Sequence, residues 1–161
     1  MIKNYDTLLK ELKNLDIYLK ECGLNKRAEL ILIGGTVKFA YAKIFEKEEL
    51  NNTRETPDID FLCLGDEIVD IGEAVGKPFD YIGVYFEMPN GIKIDVLGTL
   101  SRDEICDLLT KKENLIEFPE KFESFRLYVP KVEIYMLEKE RLGRNKDSKD
   151  LEFLKKAFSQ S

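Results

Sequence analysis

A short β-branched run, Glu29-Leu30-Ile31-Leu32-Ile33, stops abruptly at Gly34-Gly35, and from Thr36 the apolar residues Val37, Ala40, Tyr41 and Ile44 recur at helical spacing. Such a run, too short for a helix and ended by two glycines, predicts a buried strand turning directly into a helix that extends to about Lys47. Upstream, Leu8, Leu9, Leu12, Leu15 and Leu19 recur at helical spacing and Gly23 follows as a stop, so residues 5 to 22 read as an amphipathic helix that covers a sheet. Strand–turn–helix together with a covering helix restricts the chain to a mixed α/β architecture.

The rest of the chain extends that pattern. Glu46 to Pro57 is polar and charged, with Asn51-Asn52 near its middle, and predicts an exposed loop. Asp58-Ile59-Asp60-Phe61-Leu62-Cys63-Leu64 alternates and then becomes wholly apolar, as a strand does when it starts at a surface and ends in a core. A short helix is expected from Glu67 to Val75, ended by Gly76. Tyr81 to Phe86 and Ile92 to Leu97, joined by Pro89-Asn90-Gly91, predict a hairpin of antiparallel neighbours. Ser101 with Glu104 is a capping-box pattern opening a helix of about ten residues. Phe125 to Val129 reads as one more strand, Pro130 suits the first turn of a helix running to about Arg144, and Asp147 suits the cap of a last helix carrying Leu151, Phe153, Leu154 and Phe158. The expected whole is one domain over 1–161, α/β (α+β) in class, a mixed sheet flanked by helices, with a core over about 28–100 and a C-terminal helical part over about 130–158.

Composition removes several kinds of chemistry. Histidine is absent, so Ser-His-Asp triads, Cys-His nucleophiles and His-rich zinc sites cannot be built, and any general base is Asp, Glu, Lys, Tyr or Cys. The cysteines Cys22, Cys63 and Cys106 are odd in number, widely spaced and flanked by apolar residues, which predicts buried reduced thiols rather than disulfides or a thiolate metal site. A formal charge of −6 argues against extended DNA binding, because gripping phosphates needs clustered cations. No run approaches the roughly 18 apolar residues of a membrane span and no leader is recognisable, so no membrane partner and a cytoplasmic location are expected.

Asp58 and Asp60 lie two residues apart on a predicted strand and so share a face, where two close carboxylates repel unless a cation sits between them. Asp95 is placed alike in another strand, among Ile92, Ile94, Val96 and Leu97. If the strands are neighbours the three converge, and an all-oxygen ligand set selects a hard ion, Mg²⁺ or Mn²⁺. Gly34-Gly35 stands at a strand-to-helix junction where a phosphate can approach bare backbone and free N–H groups, with Thr36 adding a hydroxyl. Alone, Gly-Gly marks a tight turn and Asp-x-Asp a solvated strand end. The ordered combination is more specific.

That combination resembles the nucleotidyltransferase superfamily of the DNA polymerase β type, in particular its minimal and toxin-associated members. The matching residues are Ile33-Gly34-Gly35-Thr36, Thr56-Pro57-Asp58-Ile59-Asp60-Phe61 and Ile94-Asp95-Val96. The stretch from Leu137 to Leu151 is similar too, with Lys139, then Arg144-Asn145-Lys146-Asp147, then Asp150, so the resemblance spans about residues 30 to 155. It implies catalytic, metal-binding Asp58, Asp60 and Asp95, and Gly34, Gly35, Thr36 and Lys139 facing nucleotide phosphates. By the same resemblance a nucleoside triphosphate, with ATP the first expectation, gives its monophosphate to a hydroxyl of a protein or RNA, with a cognate toxin or antitoxin as a further partner. Arg144, Lys146, Asp147 and Asp150 would link two helices, or else form caps and surface salt bridges. Two departures stand out: the segment from Gly35 to Asp58 is long for a small relative, leaving room for a lid or partner contact, and no acceptor-recognition module is visible. The alternatives are a binding module that keeps this fold and acts through a protein partner, and an interaction protein with incidental aspartates. Tyr81, Tyr85 and Phe86 could stack a base, although strand spacing favours packing.

Overall fold

In the computed structural model, which describes residues 1–80, 82–99 and 104–159, twelve helices and strands follow one another as the sequence pattern predicts, with local differences. The first helix, α1 (Tyr5–Glu21), opens on a reciprocal cap in which the Asn4 side chain accepts from the Thr7 N–H and the Thr7 hydroxyl accepts from the Asn4 N–H. Its Leu8, Leu12, Leu15 and Leu19 are buried, each stabilising the fold by about 2 kcal/mol relative to exposure. β1 (Ala28–Ile33) runs into a single 3₁₀ turn, Gly34–Thr36, before α2 (Val37–Ile44). The helix thus begins later and ends earlier than its apolar spacing suggests, and Glu46 just beyond it has a left-handed φ of 54°.

β2 (Asp58–Cys63), α3 (Glu67–Val75), β3 (Gly83–Glu87) and β4 (Lys93–Leu97) follow. Then come α4 (Glu104–Leu109), β5 (Leu115–Glu117), β6 (Phe125–Pro130), α5 (Val132–Leu142) and α6 (Asn145–Phe158). Tyr81 and Ser101 lie outside the described residues, so the capping box expected at Ser101 does too. β5 was not foreseen, since three residues carry too little periodicity. Pro130 ends β6 instead of opening α5, and Asp147 is the third residue of α6, where its carboxylate accepts from the Arg144 N–H at 3.3 Å, rather than the cap itself.

The six strands form one mixed sheet in the order β3-β4-β2-β1-β6-β5. β1 pairs β2 antiparallel and β6 parallel, β2 pairs β4 parallel, and β3 and β5 are antiparallel edges on β4 and β6. One face, carrying Leu30, Leu32, Phe61, Ile94 and Phe125, is sealed by α1, α2 and α3 into the main core. The opposite face is covered only in part: Ile31, Ile33, Leu62 and Tyr128 lie under Leu109 of α4 and Ile134 of α5. No helix among the described residues is long and apolar enough to cross a membrane.

The expected loop from Glu46 to Pro57 is better anchored than its polarity suggests. It holds a 3₁₀ turn, Glu48–Asn52, whose Leu50 is fully buried. Asn51 Oδ1 accepts from the Tyr5 N–H, and Thr56 bridges to Ile2. Cys22, Cys63 and Cys106 form no disulfide, as expected, but only Cys63 is buried.

Candidate metal and nucleotide site

Alternation in β2 turns Ile59 and Phe61 into the main core and leaves Asp58 and Asp60 half-buried on the opposite face. The parallel register of β4 sets Asp95 level with Asp60, and the antiparallel register of β1 sets Ile33 level with Asp60 on the other flank. Gly34 is therefore the first residue past the strand beside Asp60. Its φ is +74°, and a Cβ there would stand 2.5 Å from Asp60 Oδ2, so the carboxylate lies directly against bare backbone. The Tyr135 hydroxyl donates to the Gly34 carbonyl at 2.6 Å and pins this turn to α5.

Asp60 and Asp95 both bind protons more tightly than ordinary carboxylates. Burial first, then Asp95 and Asp58, push Asp60 up to about 6, against the pull of Lys146 and Lys139. Burial, then Asp58 and Asp80, push Asp95 above its ordinary value. Oδ1 of Asp58 and the Thr36 hydroxyl are buried without a hydrogen-bond partner. Among the described residues, however, no group of three or more Cys, Asp or Glu side chains converges tightly enough to hold a metal ion. Asp58, Asp60 and Asp95 share a face and a field without sharing a point.

The donor set nevertheless fits a hard divalent cation in kind: oxygens only, one orphaned, and a charge excess that a cation would relieve. Asp58, Asp60 and Asp95 are the residues that would hold Mg²⁺ or Mn²⁺ if one binds here.

Lys139 is placed otherwise than the sequence suggests. It is 2% exposed, its ammonium donates to Asp147 Oδ1 at 3.0 Å and stands 3.4 Å from Asp150 Oδ2, so it is committed to carboxylates instead of open to phosphate. Arg144 closes on Asp147 from the other side, and fully buried Lys38 donates to Asp150 Oδ1 at 2.8 Å. Both readings of this stretch are found. Asp147 and Asp150 link α5 and α6 through buried Lys139, with Lys38 of α2 as a third member. Arg144 and Asp147 form a local cap with the arginine half-exposed, and Lys146 lines a cavity with Arg54.

Sequence reasoning missed Lys38 and Arg54. A signal for the first existed: Val37, Phe39, Ala40, Tyr41 and Ala42 around it are all apolar, which leaves α2 no polar face at Lys38, and all of them are buried. Arg54 had none. Its guanidinium stands 3.7 Å from where a Cβ on Gly35 would be and 4.0 Å from Asp150 Oδ2. With Asn145, Lys146, Lys149, Asp150 and Phe153 it lines a cavity of about 250 Å³. This cavity is cationic and adjoins Gly35, and its Lys146 is exposed yet felt by Asp60.

Comparison of the chain with protein families, with curated proteins and with solved structures returns no match.

Proposed function

We propose that the chain is a divalent-metal-dependent nucleotidyltransferase that moves a nucleoside monophosphate from a triphosphate, ATP first among them, to a hydroxyl on a protein or RNA, as a member of a toxin-antitoxin pair. The observation that carries this reading is the register that sets Asp60 and Asp95 level on adjacent strands with the Gly34-Gly35 turn against Asp60, and Arg54 of the cationic cavity beside Gly35. When bound, Mg²⁺ supplies charge neutralisation for the phosphates and a lowered pKa for an attacking hydroxyl. The chain's own part is placement. Gly34 and Gly35 let phosphate oxygens approach backbone, Arg54, Lys146 and Lys149 give the triphosphate tail positive surroundings, and Asp95, farthest from that cavity, takes the acceptor's proton. Lys139 acts here as a positioning residue that ties α5 to α6.

The test is incorporation of label from the α-phosphate of ATP with Mg²⁺ or Mn²⁺ present, using the wild type and Asp58→Asn. Label that depends on the metal and disappears in a still-folded Asp58→Asn supports the proposal. Equal labelling in the mutant sinks it.

A second reading has one observation in its favour, the failure of the three carboxylates to converge. The chain would then be a binding module that keeps the fold and acts through a protein partner. Stoichiometric co-purification with a neighbour-encoded protein, without metal-dependent labelling, would favour it.

A further inference from the structure

The row formed by Asp60 and Asp95 does not stop at Asp95. β3 lies beyond β4 as the edge of the sheet, and its Tyr85 is level with Asp95. Backbone hydrogen bonds join Met88 to Ile92 and Gly98 to Ile82, so by alternation Tyr85 and Asp95 form the non-hydrogen-bonded kind of pair, in which Cα atoms approach to about 4.5 Å and the side chains are closest. Val84 and Phe86 on either side are buried in the core, whereas Tyr85 is 55% exposed, and among the described residues its hydroxyl has no hydrogen-bond partner.

Position along the row sorts roles. The cationic cavity and the glycines lie on the β1 side of the aspartates, so a triphosphate tail lies there and an acceptor approaches from β3. Among the described residues, the first hydroxyl on that side is the chain's own, that of Tyr85. Asp80 and Glu87 are exposed at the two ends of β3, with Lys93 level with Glu87, and a phenol already in place needs no approach.

Resting on the nucleotidyltransferase reading, we infer that Tyr85 is an acceptor and that the domain nucleotidylates itself there. The step balances: a bond forms between Tyr85 Oη and the α-phosphorus of the nucleoside triphosphate, the bond from that phosphorus to the oxygen bridging the β-phosphate breaks, pyrophosphate leaves with that electron pair, and the phenolic proton passes to Asp95 and on to solvent. The product is a tyrosyl phosphodiester at an exposed edge strand.

The experiment incubates the full chain with ATP and Mg²⁺, follows intact mass, maps the modified peptide and repeats both with Tyr85→Phe. In parallel, thermal shift with ATP and Mg²⁺ reads binding independently of transfer. The expected result is one nucleoside monophosphate per chain, mapped to Tyr85, and loss of that adduct in Tyr85→Phe with the thermal shift unchanged. An adduct on another residue, or a wild type that binds ATP and labels an added protein or RNA but not itself, overturns the inference and leaves the proposed function standing. Absence of both binding and transfer overturns the two together.

Discussion

Two groups of charged side chains meet near the glycine turn, and they are built on opposite rules. Buried Lys38 and Lys139 face buried Asp147 and Asp150, and half-exposed Arg144 closes on Asp147, so each group contacts an opposite charge, although Asp150 Oδ2 has no hydrogen-bond partner among the described residues. Burial alone would raise Asp147, yet hydrogen bonds from Arg144 and Lys139 outweigh it and hold the carboxyl at about 2. On the sheet face, burial and neighbouring carboxylates hold Asp60 and Asp95 above their ordinary values instead, and among the described residues no cation is in ion-pair contact with them. Charges that are mutually satisfied belong to the architecture. A surplus of one sign, kept half-buried on a strand pair, is the feature on which the proposed cation site rests.

The largest effect that can break this contrast is expected at Lys139. Lys139→Met leaves Asp147 and Asp150 short of a buried partner, and removal of one member of a buried ion pair costs about 3–5 kcal/mol. Urea denaturation should show that loss. A cost near zero, with ATP-induced stabilisation abolished, would return Lys139 to the role of phosphate ligand and put both clusters on the same footing.

Asp60 tests the other side with the opposite sign. Its pKa is about 6 folded against 3.8 unfolded, so between those values the folded state keeps a proton that the unfolded chain has released. Stability from this group is accordingly greatest below the unfolded pKa, falls as pH rises from about 4 to 6, and stays lost at pH 7. The gap of about two pH units, discounted for partial exposure, amounts to on the order of 1–2 kcal/mol. Asp60→Asn should therefore stabilise the metal-free domain by that amount at pH 7 and by almost nothing at pH 4, while Mg²⁺ with ATP stabilises the wild type and not the mutant. A mutant that is destabilised at pH 7 would show that Asp60 is compensated like its buried neighbours.

The contrast was half legible in the sequence. Period-two alternation fixes the face of Asp58, Asp60 and Asp95, and the β-branched run with its glycines fixes the turn beside them, because both are local. The fate of Lys139 was not local. Its network depends on Lys38 meeting Asp150 across 112 residues, and spacing within one helix carries no information about such a partner. β5 and the buried Leu50 escaped for a different reason: three residues and one side chain are too few to show a period. Whether three carboxylates on one face converge is a matter of side-chain rotamers, which residue spacing does not encode.

The smallest expected effect sharpens the comparison most, because the chain contains its own control. Gly34 and Gly76 share a φ of +74°, but an added Cβ at Gly76 meets open space while one at Gly34 meets Asp60 Oδ2 at 2.5 Å. Alanine at either position has to adopt the left-handed conformation, at about 1 kcal/mol. Only at Gly34 does it also push Asp60 off the turn, and a displaced carboxylate relieves part of the crowding with Asp58 and Asp95 while spoiling any shared hold on a cation. Gly34→Ala and Gly76→Ala should consequently differ little in metal-free stability and sharply in ligand response, with stabilisation by Mg²⁺ and ATP kept in the second and lost in the first. Equal ligand responses in thermal shift would mean that the contact between Gly34 and Asp60 is incidental packing, and the sheet face would then differ from the buried network only in lacking partners.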